Sequence, residues 1–395
     1  MQTRRAAWSL PQLPFFEPAH YALAEKLQAW QATVQVAPHD AQADLGPVCR
    51  AMLADLTQLG VLDYAVPRAT EAGAPKFDVR ALCIIREAIS YVSVLADTVF
   101  AMQGLGTAPL QLHPDRALRD RYLDAARAGE TIAALAITEP DSGSDVAAIA
   151  TTATRDGDDY VINGGKVWIS NAGIADHYVV VARTGEAPGA RGLSAILVDA
   201  RTPGLTAGPQ SDMIAPHPLG PVTFKDCRVP AGNLIGSAGA GFKAAMATFD
   251  VFRPTVGAAA VGVSRRALHE VLARIRTRRL FGRAMADMEA VQAKLADMVT
   301  QTESASLAVY RAAWAADVLG GRTSREASIA KLHATEAAFQ VVDTAVQLFG
   351  GLGVSNESVV GQLYREVRAM RIYEGVSEVQ KVVIARATLK ENAAE

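Results

Sequence analysis

The sequence predicts a mainly α chain with a central antiparallel β domain, and three observations carry that expectation. Apolar residues recur at helical spacing through the first third of the chain. From Thr131 onward, β-branched residues alternate and turn-formers arrive every few residues. After Gly239-Ala240-Gly241 the helical period returns and holds to the end. An α, β, α order without strand–helix alternation excludes a doubly wound sheet. The expected domains are a helical 1–131, a small β unit of barrel-like type at 132–238, and a helical bundle at 239–395.

Taken in order, Leu23, Leu27 and Trp30 share one helix face. Leu53, Leu56 and Leu59 share another, which Gly60 is placed to cap. Residues 79–103 form a third apolar run through Leu82, Ile85, Ile89 and Val92, with Met102 and Gln103 at its end. Gln103 reads either as a satisfied core amide or as a pocket wall. In the β unit, Ile149 to Thr154 reads as a strand and Asp156-Gly157-Asp158-Asp159 as a turn. Asn163-Gly164 carries a hairpin signal between Tyr160-Val161-Ile162 and Lys166-Val167-Trp168-Ile169-Ser170. His177 to Arg183, Leu193 to Val198 and Val222 to Val229 continue the series.

In the last region Val291, Leu295, Met298, Thr302, Ala305, Val309, Ala312, Ala316 and Leu319 step by fours and threes. That is the seam of a long bundle helix, stopped by Gly320-Gly321. A second helical run, Ser324 to Phe349, ends in Gly350-Gly351. Because that run is helical, Gly350-Gly351-Leu352-Gly353 is no dinucleotide fingerprint, which would follow a strand. A disordered tail is expected only at Asn392 to Glu395.

Composition narrows the function classes. Half the residues are apolar and the net charge is only −2, so no basic face for nucleic acid is expected. Cys49, Cys83 and Cys227 are far apart, which fits a reducing compartment. The histidines lack metal-ligand spacing, so no metal site is expected. Arg4 and Arg5 precede Trp8-Ser9-Leu10-Pro11 and not an apolar signal core. No stretch approaches the roughly 20 apolar residues of a membrane span. A cytoplasmic protein is the expectation, with a mature organellar form left open.

The chemistry points to Ile372-Tyr373-Glu374-Gly375, just ahead of a helix opening at Ser377. A carboxylate on an aromatic shoulder can be shielded from water, and desolvation raises its pKa and makes it a better base. The plainer alternative is a helix-opening Glu that complements the macrodipole. The segment Leu135 to Asp145 is rich in hydroxyls and turn-formers. It can offer N–H groups and hydroxyls to a flat ligand with carbonyl and imide edges, or it is a solvated connector with Asx and Ser turns. Trp168 and Ser170 fall on one side of a strand and suit a stacked heteroaromatic ring.

Taken together, five segments resemble the acyl-CoA dehydrogenases, in order and over nearly the whole chain. They are Ile137-Thr138-Glu139-Pro140 with Gly143-Ser144-Asp145, Trp168-Ile169-Ser170-Asn171, Arg278-Arg279-Leu280-Phe281-Gly282, Gln347-Leu348-Phe349-Gly350-Gly351, and Ile372-Tyr373-Glu374-Gly375. The resemblance implies a homotetramer with FAD between the middle and C-terminal domains. It puts the backbone of Leu135 and Ile137 and the hydroxyl of Thr138 at the flavin's polar edge, Trp168 on the ring, and Ser170 near N5. Arg278, Phe281, Gln347 and Gly351 would reach the FAD of a neighbouring subunit. Ser144, Asp250 and Arg253 match positions along the CoA arm. Glu374 matches the base that takes the α-proton of an acyl-CoA while the β-hydrogen leaves as hydride, with Tyr373 and Ile372 as its apolar wall and Gly375 beside the substrate.

The implied electron acceptor is an electron-transfer flavoprotein. Leu135, Leu280, Glu289 and Val376 depart from residues common in the family. By alignment Gln103, Met102, Phe252 and Val376 lie near the acyl cavity, and short, branched and cyclic acyl groups all stay open. The alternatives are an oxygen-using oxidase, a lyase-like member of the fold, and a non-catalytic CoA-binding or assembly protein.

Overall fold

The computed structural model describes residues 8–34, 44–68 and 76–391; Arg4, Arg5 and the Asn392 to Glu395 tail lie outside them. The helices are α1 (Pro18–Thr33), α2 (Leu45–Leu59), α3 (Leu62–Ala65), α4 (Val79–Val92), α5 (Val94–Thr107), α6 (Arg116–Arg127), α7 (Gly241–Thr277), α8 (Glu289–Trp314), α9 (Ser324–Phe349), α10 (Val359–Met370) and α11 (Ser377–Glu391). The strands are β1 (Ala133–Ala136), β2 (Thr152–Asp156), β3 (Asp159–Ser170), β4 (His177–Arg183), β5 (Leu193–Asp199), β6 (Leu205–Ala207), β7 (Leu219–Pro230), β8 (Leu234–Ile235), β9 (Arg279–Leu280) and β10 (Arg283–Ala284). The chain is thus mainly helical, with the strands of its sheet in the middle of the sequence, as the patterning predicts. Two compact units emerge: the described residues of Met1–Pro38, Asp78–Asp97 and Asp250–Glu395, and those of His39–Phe77 and Thr98–Phe249.

The first unit is helical. Every residue of α4 except Val92 is buried, and the helix starts on Asp78, whose side chain accepts from Ala81 N. Buried Glu87 on α4 accepts from Trp8 Nε1 at 2.7 Å, Arg265 Nε at 2.8 Å and Tyr310 OH at 2.6 Å. A buried carboxylate costs several kcal/mol unless its lone pairs are filled, so this cluster fixes α4 against its neighbours. The apolar run expected over residues 79–103 breaks at Ser93, which is extended (φ −154°) and whose Oγ accepts from Ala96 N at 3.2 Å.

The α8 seam holds through Ala312, but Leu319 is 66% exposed. The cause is a π turn at Ala315–Leu319, which adds a residue to the turn and rotates the stripe. That rotation accompanies the contact of Asp317 with Val79 N, Arg80 N and Arg80 Nε. α9 packs on α8, α10 and α11. Contrary to expectation, the helical stretch Ser324–Val354 is long and apolar enough to cross a membrane by length and composition. Its inward face (Ala327, Ala330, Ala334, Ala338, Val341, Ala345) is nevertheless buried in the helical unit.

The second unit holds an eight-stranded sheet in the order β6-β7-β3-β2-β4-β5-β8, with β1 paired to β4. It is not wholly antiparallel: β1 and β2 each pair with β4 in parallel. The Asn163-Gly164 hairpin is also corrected. β3 runs straight through these residues, and its register against β7 shifts between Ile162 and Gly164. Asn163 spends its side chain on the β7 partner Asp226, donating to Oδ1 at 3.2 Å and accepting from Asp226 N at 2.8 Å. Gly164, at φ 144°, lies so close to Thr151 that a Cβ would overlap it. The extra residue of the irregularity lies in β7, where Lys225 and Asp226 (φ 47°) stand opposite Asn163, so the dipeptide pairs with a bulge and does not turn the chain.

Candidate active site

Glu374 lies in the turn between α10 and α11, in the helical unit. Two successive residues there have positive φ, Glu374 at 53° and Gly375 at 95°. For a non-glycine residue this conformation costs about 1–2 kcal/mol and persists only when its surroundings impose it. Three side chains do so. Arg253 Nε from α7 donates to Glu374 O at 3.3 Å. Gln380 Nε2 from α11 donates to Glu374 O at 3.2 Å and to Gly375 O at 3.0 Å. Lys331 Nζ from α9 donates to Gly375 O at 2.8 Å. Ser377 Oγ, opening α11, donates to Glu336 Oε1 at 2.5 Å and anchors the helix start.

The carboxylate is held differently from its backbone. Glu374 Oε2 is buried with no hydrogen-bond partner. Burial raises the Glu374 carboxyl above its ordinary value, while Arg86, Lys331 and Arg253 pull it down and Asp97 adds to the rise. Arg86 is spoken for: Nε and Nη2 grip Asp97 at 2.8 and 2.7 Å, and Nη1 donates to Thr255 Oγ1 at 2.9 Å. Burial also drives the Tyr373 phenol far above its usual range, so it stays neutral. Ile372, expected as the other half of an apolar wall, is instead 51% exposed. A carboxylate with an open lone pair in such surroundings can accept a proton from a weak acid.

The sheet unit carries the other predicted residues. Leu135 and Ile137 pack with Ile149, Val181, Leu193 and Ala245. The loop after β1 is tied down from beneath by Lys166, whose Nζ donates to Ile137 O at 2.9 Å and Glu139 Oε1 at 2.8 Å. Glu139 also accepts from Ala150 N and Thr151 N. Burial works against its charge, but the Lys166, Thr151 and Ala150 bonds outweigh it and hold Glu139 below the usual carboxylate range. Burial pulls Lys166 down to about 8. Thr138 O accepts from Val167 N at 2.9 Å, which ties that loop to β3.

Trp168 is 60% exposed at φ 57°, and Asn171 follows at φ 65°. Asn171 Nδ2 bonds Ala133 O at 2.9 Å and its N–H bonds Pro218 O at 2.6 Å, so the strain is imposed by the sheet. An indole face held open at positive φ near the end of β3 offers a stacking surface for a flat heteroaromatic ring. Ser170 Oγ shares a hydrogen bond with His217 Nε2 at 2.8 Å. Burial lowers His217 to about 4, which keeps it neutral near pH 7, so its tautomer sets which way the serine proton points.

Other expected residues fall elsewhere. Gln103 is a satisfied core amide: Nε2 donates to Ala126 O and Thr131 O, Oε1 accepts from Ala133 N, and 1% of the residue is exposed. Its polar atoms are committed to backbone, and it leaves the substrate-facing set. Asp250 accepts from Ser324 Oγ at 2.6 Å and from Arg253 Nη1 at 3.4 Å, so this pair buttresses the base turn within the helical unit. Ser144, Arg278, Gln347 and Gly351 are exposed, and Phe281 is 95% exposed at φ 48°. Lys331, Gln380, Arg86, Lys166 and His217 were not singled out from the sequence. Lys331 alone leaves a plain trace: a charge among the alanines of the inward stripe of α9.

The sequence profile of the acyl-CoA dehydrogenase middle domain matches residues 134–227, and that of the acyl-CoA dehydrogenase C-terminal domain matches residues 239–389. A Mycobacterium tuberculosis protein named probable acyl-CoA dehydrogenase FadE25 is 36% identical over 372 residues, 93% of each chain. Cyclohexane-1-carbonyl-CoA dehydrogenase of Geobacter metallireducens is 36% identical over 365 residues, 92% of this chain and 95% of that one. The crystal structure of an acyl-CoA dehydrogenase from Geobacillus kaustophilus superposes with a TM-score of 0.86 at 28% identity, covering 95% of this chain and 100% of that one.

Proposed function

The chain belongs to the acyl-CoA dehydrogenase family of FAD-dependent flavoproteins, and on that premise we propose that it oxidises an acyl-CoA thioester to the trans-2-enoyl-CoA with Glu374 as the base. It is an oxidoreductase acting on acyl-CoA. The observation that carries the proposed mechanism is the buried, unpartnered Glu374 Oε2 on a turn held by three side chains. The α-hydrogen leaves as a proton to Glu374 Oε2, and the raised pKa of that carboxyl narrows its gap to the weakly acidic carbon. Arg253, Gln380 and Lys331 hold the turn, so the carboxylate need not reorganise during transfer. Bound FAD would supply the acceptor for the hydride that leaves the β-carbon. Thr138, Trp168 and Ser170, with the backbone of Leu135 and Ile137, are the residues proposed to hold it.

The proposed assembly is a homotetramer that passes electrons to an electron-transfer flavoprotein in the cytoplasm. Its support is the exposure of Arg278, Phe281, Gln347 and Gly351, a set suited to a second copy of the chain. The three-domain division at residues 131/132 and 238/239 is proposed with it, and Ser144 remains the proposed contact to the CoA arm. The test is a panel of saturated acyl-CoA esters, straight, branched and alicyclic, scored by anaerobic loss of flavin absorbance. The relative named for cyclohexane-1-carbonyl-CoA is the reason to include alicyclic esters. Bleaching by at least one ester supports the proposal; an FAD-loaded protein that no ester bleaches contradicts it.

A further inference from the structure

Lys331 is a buried cation in the middle of α9, with none of its surface exposed. Its Nζ lies 2.8 Å from Gly375 O, the second carbonyl of the base turn. A lysine in a helix core is disfavoured unless its charge is used. Here the stripe around it is alanine (Ala327, Ala330, Ala334, Ala338), and the hydrogen-bond partner of the ammonium is the turn.

We propose that Lys331 is the positioning residue of Glu374: its ammonium clamps Gly375 O, fixes the positive-φ turn that aims the carboxylate, and favours the ionised base. The proposal rests on the assignment of Glu374 as the base. Burial lowers Lys331 to about 8, with the charge of Glu374 opposing and that of Arg253 adding to the fall. The other charges acting on Glu374 are Arg86 and Arg253, which favour its ionisation, and Asp97, which opposes it. Those acting on Lys331 are Glu374, Arg253, Glu336 and Arg371. Loss of the Lys331 charge removes one favourable partner of the carboxylate and leaves the rest in place. The Glu374 pKa must then rise, and the acid limb of the rate profile must move to higher pH.

The experiment measures single-turnover flavin reduction by a saturated acyl-CoA against pH, in FAD-loaded full chains of wild type, Lys331→Met, Lys331→Gln, Lys331→Arg and Glu374→Gln. The neutral variants are expected to lose about tenfold or more in maximal rate, with little change in substrate affinity and with the acid limb displaced upward. Lys331→Arg keeps the charge, so its limb stays in place while its rate falls through altered clamp geometry. Neutral variants with a wild-type rate and limb would overturn the proposal. If neither neutral variant folds, Lys331→Arg decides: an unmoved limb with a reduced rate supports the clamp, and wild-type behaviour overturns it. Activity in Glu374→Gln would instead sink the base assignment. An inactive Glu374→Gln beside wild-type-like lysine variants would sink only the role of Lys331.

Discussion

Gly375 in the base turn has no room for a side chain. A Cβ on it would overlap Gln380 Nε2 and approach Arg253 Nη2 to 3.8 Å, on a backbone at φ 95°. In Gly375→Ala the left-handed conformation costs about 1–2 kcal/mol for a residue with a Cβ. Displacing the buried Gln380 amide forfeits its bonds to Glu374 O and Gly375 O, at roughly 0.5–1.5 kcal/mol each. Together the change costs about 2–5 kcal/mol, felt as instability, as a relaxed turn, or as both. Relaxation of the turn moves the carboxylate, and a misplacement of about 1 Å can cost on the order of a hundredfold in rate. The assay pairs denaturant unfolding with single-turnover flavin bleaching. Gly232→Ala serves as the control, because a Cβ there meets nothing within 4 Å. A Gly375→Ala protein as stable and as fast as the control would refute the idea that the turn is held under constraint.

Three further outcomes follow from the same reasoning. Lys166→Met strands the buried Glu139 carboxylate beneath the loop after β1 and should cost about 3–5 kcal/mol in denaturant unfolding. Buried His177 has two unpartnered ring nitrogens, and burial lowers its pKa from 6.5 to about 4. Because the folded pKa lies below the unfolded one, the unfolded chain binds the proton first, so stability falls as pH drops from about 6.5 towards 4, by up to about 3 kcal/mol. A His177→Phe variant should lose most of that dependence in denaturant midpoints taken between pH 7 and 4. Gly164→Ala should destabilise the sheet at β3, since its Cβ has no space beside Thr151 at φ 144°, and an unchanged unfolding midpoint would count against that geometry.

How much of this was legible in the sequence depended on the range of the interaction. Gly60 caps α2 at φ 69°, and the α9 limits coincide with Ser324 and Phe349, because capping and periodicity are local. Asn163-Gly164 misled for the opposite reason. The same dipeptide serves a turn or a continuous strand opposite a bulge, and Asp226 on the bulged partner strand, 63 residues away, holds it in the second. Gln103 stayed ambiguous because its partners lie 23 to 30 residues on, and only their positions show the amide to be satisfied. The clamp residues of the base turn were invisible in the same way: Lys331 reaches 44 residues and Arg253 reaches 121. The π turn in α8 left no trace in the spacing, since its apolar residues continue the seam while the backbone rotates beneath them.

Proton exchange at the α-carbon tests whether Glu374 takes a proton from carbon. An acyl-CoA without a β-hydrogen cannot lose a hydride, so in D2O its α-protons should wash out on the FAD-loaded wild-type chain and be retained on Glu374→Gln. Equal exchange on both proteins would contradict the account.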